Sequence, residues 1–541
     1  MSRPAPLTAI ATPASTPETT AQKAPTQVTG RVVPEPAPTL GDRFEAAAFR
    51  KIDKVAKALD SSGRAPGLLG GAVKAIGATG LAGDMPPELL ESLAHSANII
   101  LKAEYQSRPT QQSFEERSKE YIEEARQGAP VDQALEETDA FHNAAFLKEL
   151  EQVSGAAFTE GNRVEFLHDG PASFAKRREL IDNARESINI LTWHIYGDDT
   201  GIDLCDRLIE KAAEGIQVRV IVDNNNVIMT SREKTLQALE AAGIKVIRWQ
   251  DPDHGAFSTH CKLMVVDDKA AIVGGTNPGN EYSHAFGTDA EETYAGPKWR
   301  DTDMLVEGPA AVDTLKLFAN YWNQQVFAFS DTLDPDVYGT VSAKLAPLLA
   351  KAGQPGSSKA AVVHHAPGAD NFHVYSSILK AIEGATETID IENAYFLTMP
   401  GLDQLLLGAL MRGVKVRILT NSDTSVDVPM LSEALLKAFP DLLASGAEVY
   451  LKRGETLHSK FLIVDGSFAS VGSLNLHPRS LFYDTEMAIN VIDRDEAAKL
   501  TAVFEKDITD EFAKQVKVPK DLEVNSEWFN RFLEQYFFDH F

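Results

Sequence analysis

His260-Cys-Lys262-Leu-Met-Val-Val-Asp267, followed by Gly274-Gly275-Thr276-Asn277, occurs again as His458-Ser-Lys460-Phe-Leu-Ile-Val-Asp465, followed by Gly472-Ser473-Leu474-Asn475. Both copies fit H-x-K-x4-D-x6-G-[GS]-x-N, and they lie 198 positions apart, 260 to 458. Gly215 and Gly413, and Arg219 and Arg417, keep the same offset. A repeat this long is a whole domain used twice rather than a stack of short units.

The stretch from Lys to Asp is apolar and rich in β-branched residues in both copies, which predicts a buried strand. Side chains alternate faces along a strand, so His and Lys two positions apart point the same way. Cys261 and Ser459 between them point the other way. Asp267 and Asp465, five positions beyond their lysines, also face away, and their expected role is to brace the fold. The turns at Gly274-Gly275 and Gly472-Ser473 allow backbone to come close to the imidazole and ammonium. Asn277 and Asn475 add side-chain donors.

Outward from the motifs, the chain divides by composition. Residues 1–41 are rich in Pro, Ala and Thr, and they are expected to be a disordered tail. Residues 42–155 read as a helical region. Within it, the glycine-rich apolar run 67–83 is too short and interrupted to span a bilayer. Residues 156–330 form the first repeat. Its alternation of helix (174–187), strand (188–193), helix (202–213) and strand (218–222) predicts an α/β fold with largely parallel strands in a mixed sheet flanked by helices. A linker is expected at 331–360, and the second repeat at 361–541, ending in an aromatic-rich helix from Trp528.

The economical arrangement places the two repeats face to face about a pseudo-two-fold axis. One cleft then holds His260, Lys262, Asn277, His458, Lys460 and Asn475. Two imidazoles, two ammoniums and two carboxamides suit a phosphodiester, with lysines neutralising phosphoryl oxygens. Two histidines permit two-step chemistry, one attacking phosphorus and the other serving as acid and base. The motif contains no Cys/His cluster or aspartate-rich set to hold a metal, and no cofactor is expected.

The chain has 541 residues and a formal net charge of −26. That acidity argues against nucleic acid as the partner. The two cysteines, Cys205 and Cys261, cannot build a disulfide framework. The first residues lack the apolar core of a secretory signal. These features lead to the expectation of a cytoplasmic protein, peripheral at the membrane. Export by a non-classical route through residues 1–41 is the alternative.

The doubled H-x-K-x4-D resembles the phospholipase D superfamily. The surroundings, Gly274 through Glu281-Tyr282, Trp299-Arg300-Asp301-Thr302-Asp303 and Gly472 through Arg479-Ser480, resemble bacterial cardiolipin synthases. The resemblance implies a phospholipid phosphatidyltransferase or phospholipase acting through a phosphohistidine, with a complete site in one chain. Its substrates would be phosphatidylglycerol, phosphatidylethanolamine or cardiolipin, with transient membrane contact. It implies His260 as nucleophile and His458 as acid/base, with Asp301 oriented toward His260 and Glu486 toward His458. An exported phospholipase D and a nuclease of the same superfamily are the alternatives.

Overall fold

The computed structural model describes residues 139–225, 233–255, 257–286, 294–342, 344–397, 399, 401–428, 432–517 and 522. The expected tail 1–41, most of the helical region 42–155 with its run 67–83, and the aromatic segment from Trp528 lie outside the described residues.

The first repeat supplies β1 (Thr159–His168), β2 (Ser187–Thr192), β3 (Gln217–Asp223), β4 (Lys245–Trp249), β5 (Ser258–Thr259), β6 (Leu263–Val266), β7 (Ala270–Gly274) and β8 (Thr302–Glu307). The second supplies β9 (Ser358–His365), β10 (Thr388–Asn393), β11 (Lys415–Thr420), β12 (Glu448–Lys452), β13 (Lys460–Val464), β14 (Phe468–Gly472), β15 (Asp484–Ile492) and β16 (Ala513–Gln515). Among the described residues these strands form one 16-stranded sheet. From its centre the first repeat runs β1-β8-β7-β6-β2-β3-β4, and the second runs β9-β15-β14-β13-β10-β11-β12, with β16 added at the edge. The halves join where β1 pairs antiparallel with β9, Thr159 opposite Ala360 and Asn162 opposite Ser358.

The sheet is mixed, but it is not largely parallel as the sequence reading expected. Only β2-β3-β4 and β10-β11-β12 are parallel within each repeat, and the strands inward of them pair antiparallel. The reason lies in the connections. Helices Asp199–Ala213 and Glu233–Ala241 separate the parallel strands of the first repeat, as parallel pairing requires. By contrast, β6 and β7 are joined by a tight turn through Asp267 and Asp268, both with positive φ, and a tight turn permits only antiparallel pairing.

Alternation along the motif strands splits their side chains between two apolar layers. Leu263 and Val265 enter a cluster with Phe318 and Trp322 of helix Pro309–Ala328, and with Phe461, Ile463 and Phe504 of the second repeat. This core therefore draws on both halves. Met264 and Val266 face a cluster confined to the first repeat, and Leu462 and Val464 face one belonging to the second. Burial of each such side chain contributes about 1.5–3 kcal/mol.

Two expected boundaries fall differently in the structure. The expected linker 331–360 contains helices Pro335–Tyr338 and Leu345–Ala352, and its last residues begin the central strand β9. The end of the expected N-terminal region packs on the second repeat. Phe141 stacks on Phe468 at 4.8 Å, and Phe146 and Leu150 of helix Ala144–Ser154 share a core with Leu379 and Ile382.

Candidate active site

The site is built where each repeat's histidine segment leaves its own half of the sheet and reaches the other repeat. Just ahead of His260, β5 pairs in parallel with the start of β15, Ser258 opposite Asp484 and Thr259 opposite Thr485. The His260 N–H then donates to the Thr485 carbonyl at 2.8 Å. On the other side, Arg300 and Leu457 form a parallel bridge, and the His458 N–H donates to the Arg300 carbonyl at 2.7 Å.

These crossings decide which carboxylate meets which imidazole. His260 Nδ1 lies 2.9 Å from Glu486 Oε1, and His458 Nδ1 lies 2.8 Å from Asp301 Oδ2. The pairing inferred from sequence, Asp301 with His260 and Glu486 with His458, is therefore exchanged. The residue following Thr485 is Glu486 and the residue following Arg300 is Asp301, so backbone pairing across the repeats delivers each carboxylate to the opposite histidine. A carboxylate can only accept, so Nδ1 carries the proton and Nε2 lies on the far side of each ring.

The two carboxylates differ in their support. Glu486 also accepts from Ser473 Oγ and, at 2.7 Å, from Ser480 Oγ. Burial would raise Glu486, but His260, Lys262 and Ser473 outweigh it and hold the carboxyl at about 2. Asp301 Oδ1 accepts the Thr302 N–H at 2.7 Å. Burial pushes the Asp301 carboxyl up, opposed by Lys460, the Thr302 N–H and Arg300. At the position of Ser473 the first repeat has Gly275, where a Cβ would run into the Asp301 carboxylate. A Cβ at Gly274 would strike Asp303 and the Thr302 carbonyl, and one at Gly472 would strike the Met487 carbonyl.

Lys262 Nζ donates to the His260 carbonyl at 2.7 Å, and Lys460 Nζ donates to the His458 carbonyl. Both lysines are buried. Burial lowers Lys262 to about 7 and Lys460 to about 8; Lys460 adds to the first shift, while Asp301 and Glu486 oppose the second. Burial likewise lowers His260 to about 4 and His458 well below its ordinary value, and the lysines add to both shifts. Both imidazoles are thus neutral at pH 7, and His260 and both lysines lie close enough to bias His458.

Asn277 is fully buried; its Nδ2 donates to Tyr282 Oη at 3.1 Å, and its Oδ1 accepts from Thr192 Oγ1 at 3.3 Å. Asn475 Oδ1 is buried without a hydrogen-bond partner. Asp267 and Asp465 point into turns away from the imidazoles. Asp267 accepts from the N–H groups of Arg185, Glu186 and Ser187, and Asp465 from those of Thr386, Glu387 and Thr388.

Sequence reasoning passed over several residues that shape the site. Trp193 lies edge-on to His260 at 5.8 Å, with Lys262 Nζ 5.8 Å from its ring centre. Trp299 and Tyr282 flank His458 at 5.4 and 5.2 Å. Tyr282, Trp299, Asp303 and Ser480 lie close to the motifs in sequence, but no spacing marks them as partners of the histidines. Asp303 accepts from Arg177 at 2.9 Å and from the Thr276 N–H at 3.3 Å, and so supports the Gly-Gly-Thr turn.

This constellation has relatives. The family described as cardiolipin synthase, PLD-like domain, matches residues 178–284 and 378–508. A cardiolipin synthase of Oceanobacillus iheyensis is 30% identical over 360 residues, covering 65% of this chain and 70% of that protein. The major cardiolipin synthase ClsA of Bacillus subtilis is 30% identical over 375 residues, covering 68% and 73%. The crystal structure of a phosphatidylserine synthase from Haemophilus influenzae shares the fold with a TM-score of 0.58 at 17% identity, covering 72% of this chain and 97% of that one. The doubled motif, its crossed dyads and these relatives together establish that the chain belongs to the phospholipase D superfamily, in the cardiolipin synthase-like family.

Proposed function

We propose that the protein cleaves phospholipid phosphodiesters and transfers the phosphatidyl group through a covalent phosphohistidine. The observation that carries this reading is the pair of buried imidazoles, each with Nδ1 held by a buried carboxylate, beside two buried lysines. His260 is the nucleophile. Its partner Glu486 is firmly ionised and braced by two hydroxyls, so it stabilises the positive charge that develops on the ring when Nε2 bonds to phosphorus. As that bond forms, the bond from phosphorus to the leaving alcohol oxygen breaks, and His458 supplies the proton to that oxygen. The anionic diester between Lys262 and Lys460 favours the protonated forms of the groups around it, including His458. In the second step His458 removes a proton from the incoming water or alcohol. The oxygen of that molecule attacks phosphorus, and the P–N bond to His260 breaks. Water gives phosphatidic acid; phosphatidylglycerol as acceptor gives cardiolipin.

The matching strand orders on either side of β1 and β9 support a pseudo-two-fold relation between the repeats. No helix among the described residues is long and apolar enough to cross a membrane. In this reading the protein meets its lipid by peripheral, reversible contact. The test is incubation with vesicles of labelled phosphatidylglycerol or phosphatidylethanolamine, followed by product analysis and acid-sensitive trapping of label on protein. Release of headgroup with label trapped on His260 supports the reading. Absence of turnover on either lipid defeats it, and label trapped on His458 reverses the two roles.

A further inference from the structure

The two motifs are nearly identical on the face that meets substrate, but what stands behind them differs. Behind His458 lies a buried charged cluster. Arg300 donates from Nε and Nη2 to Asp507 Oδ2 at 2.8 and 2.6 Å. Its Nη1 donates to the Asp301 carbonyl, to Thr302 Oγ1 at 2.9 Å and to Ser459 Oγ at 3.1 Å. The buried Glu392 carboxylate lies 3.6 Å away. One guanidinium therefore grips the backbone of Asp301, the hydroxyl between His458 and Lys460, and the last residue of helix Arg494–Asp507. Its own carbonyl receives the His458 N–H.

The register gives the corresponding positions behind His260. Gly274 pairs with Asp303 and Gly472 with Ala488, which sets Asp301 level with Glu486 and Arg300 level with Thr485. Ser459 corresponds to Cys261. Ile190 pairs with Met264 and Ile391 with Leu462, which sets Glu392 level with Leu191. The charged set is thus replaced by Thr485, Cys261 and Leu191. There Cys261 Sγ lies 3.4 Å from Tyr321 Oη, and Tyr321 Oη donates to Thr485 Oγ1 at 2.6 Å. The backing of His260 consists of hydroxyls, a thiol, apolar groups and the neutral His364 imidazole, whose Nε2 lies 2.8 Å from Tyr321 Oη, with no guanidinium or carboxylate pair among these residues.

We propose that Arg300, clamped by Asp507, is a positioning residue for proton transfer: it fixes Asp301 and the His458 segment so that His458 serves the leaving and entering alcohols. This rests on the two-step reading above. A guanidinium forks toward several acceptors in fixed directions, which a lysine ammonium does not. It also favours the ionised form of Asp301, against the burial that raises it. An ionised Asp301 is what a protonated His458 needs as its partner. Arg300 touches no substrate in this arrangement; it acts through Asp301 and His458.

The test separates proton transfer from everything else by changing the leaving group. A natural headgroup leaves as an alkoxide that must be protonated, whereas p-nitrophenolate leaves without a proton. First-turnover release of glycerol and of p-nitrophenolate by the full chain in excess is measured on phosphatidylglycerol and on phosphatidyl-p-nitrophenol, both in vesicles of the same composition, so that the second step, in which His458 deprotonates the acceptor whatever the leaving group, is not read. The R300Q/D507N double variant removes both members of the buried ion pair together, and R300K keeps the charge without the fork. Folding of each is checked by thermal melting. The expected result for R300Q/D507N is a fall of more than about tenfold on phosphatidylglycerol, a share of what general acid catalysis typically supplies, with less than about a threefold fall on the nitrophenyl ester. R300K should show the same split in smaller measure. Equal losses on both substrates, or no loss on either, overturn the proposal. Should R300Q/D507N fail to fold, R300K decides it by the same ratio. If the unaltered protein turns over neither substrate, the phosphatidyl-transfer reading itself has failed, and that outcome is distinct from equal losses in an active enzyme.

Discussion

His260 and Glu486, on different repeats and 226 positions apart, meet through a 2.9 Å hydrogen bond, and His458 and Asp301 meet in the same crossed manner at 2.8 Å. Each half of the site is therefore oriented by the other. With nitrogen-15-labelled histidine, E486Q should change the ring-nitrogen shifts of His260 and leave those of His458 close to their original values. D301N should do the reverse. Perturbation of the same-repeat histidine instead would contradict the crossing.

Loss of either imidazole should be severe. H260A and H458A are each expected to lower turnover by at least about 10²-fold, as for a missing nucleophile or acid/base. The phosphatidyl-enzyme should still form slowly in H458A with an activated leaving group, and it should not form in H260A. Steady-state rates combined with trapping of the labelled protein in alkaline denaturant, which preserves the acid-sensitive P–N bond, check this.

The lysines set a pH dependence whose sign can be stated. In the free protein burial lowers Lys262 to about 7 and Lys460 to about 8. Their charge is lost as pH rises through that window, and an anionic phosphate restores it by favouring the ammonium. Binding of a short-chain phosphodiester analogue should therefore weaken from pH 6.5 to pH 9 and should take up protons near pH 8. Titration calorimetry in two buffers of different ionisation heat measures that uptake. Proton release on binding would reverse the argument. On the acid side, kcat/KM should fall as His260 is protonated near its value of about 4.

Gly275 faces the Asp301 carboxylate so closely that a methyl has no room. G275A should cost about 1–3 kcal/mol, the usual range for overpacking, and it should reduce activity through the displaced Asp301. Thermal melting and kcat would show both effects. An active, fully stable G275A would mean that the turn can yield.

Asp267 and Asp465 each tie down three successive backbone N–H groups. D267A and D465A should each lower stability by about 1–3 kcal/mol through lost hydrogen bonds, while the folded enzyme keeps kcat within about threefold, since surface and turn bracing is remote from the reacting atoms. Urea unfolding beside initial rates distinguishes this from a direct part in the chemistry.

Much of this arrangement could be read from the chain, and the limits are physical. The apolar runs after Lys262 and Lys460 indicated buried strands, and the side-chain period of two indicated which residues share a face. The spacing of Asp267 and Asp465 placed them away from the imidazoles. The carboxylate assignment was lost because position in sequence says nothing about which repeat a strand end will pair with; β5 finds β15 only in three dimensions. Sheet direction differs from the expectation because the helices between β2, β3 and β4 announce parallel pairing, while the antiparallel pair β6-β7 depends on the tight turn at Asp267 and Asp268, and β8 joins β7 antiparallel only after the long connection 275–301. β9 was hidden in a segment whose Gly and Pro suggested a linker. Arg300 and Asp507 are 207 positions apart, and nothing local marks them as partners.

The junction of β1 with β9 has a consequence for how such a chain could arise. An isolated first repeat would end in β1 as an open strand edge, its backbone donors and acceptors facing solvent, and its share of the two-repeat core would lie bare. A strand in that state is a template for another copy. The covalent tandem fills that vacancy from within, and in doing so it frees the two halves from having to be the same: residues such as Arg300 and Thr485 can diverge at matching positions without every copy carrying the change twice.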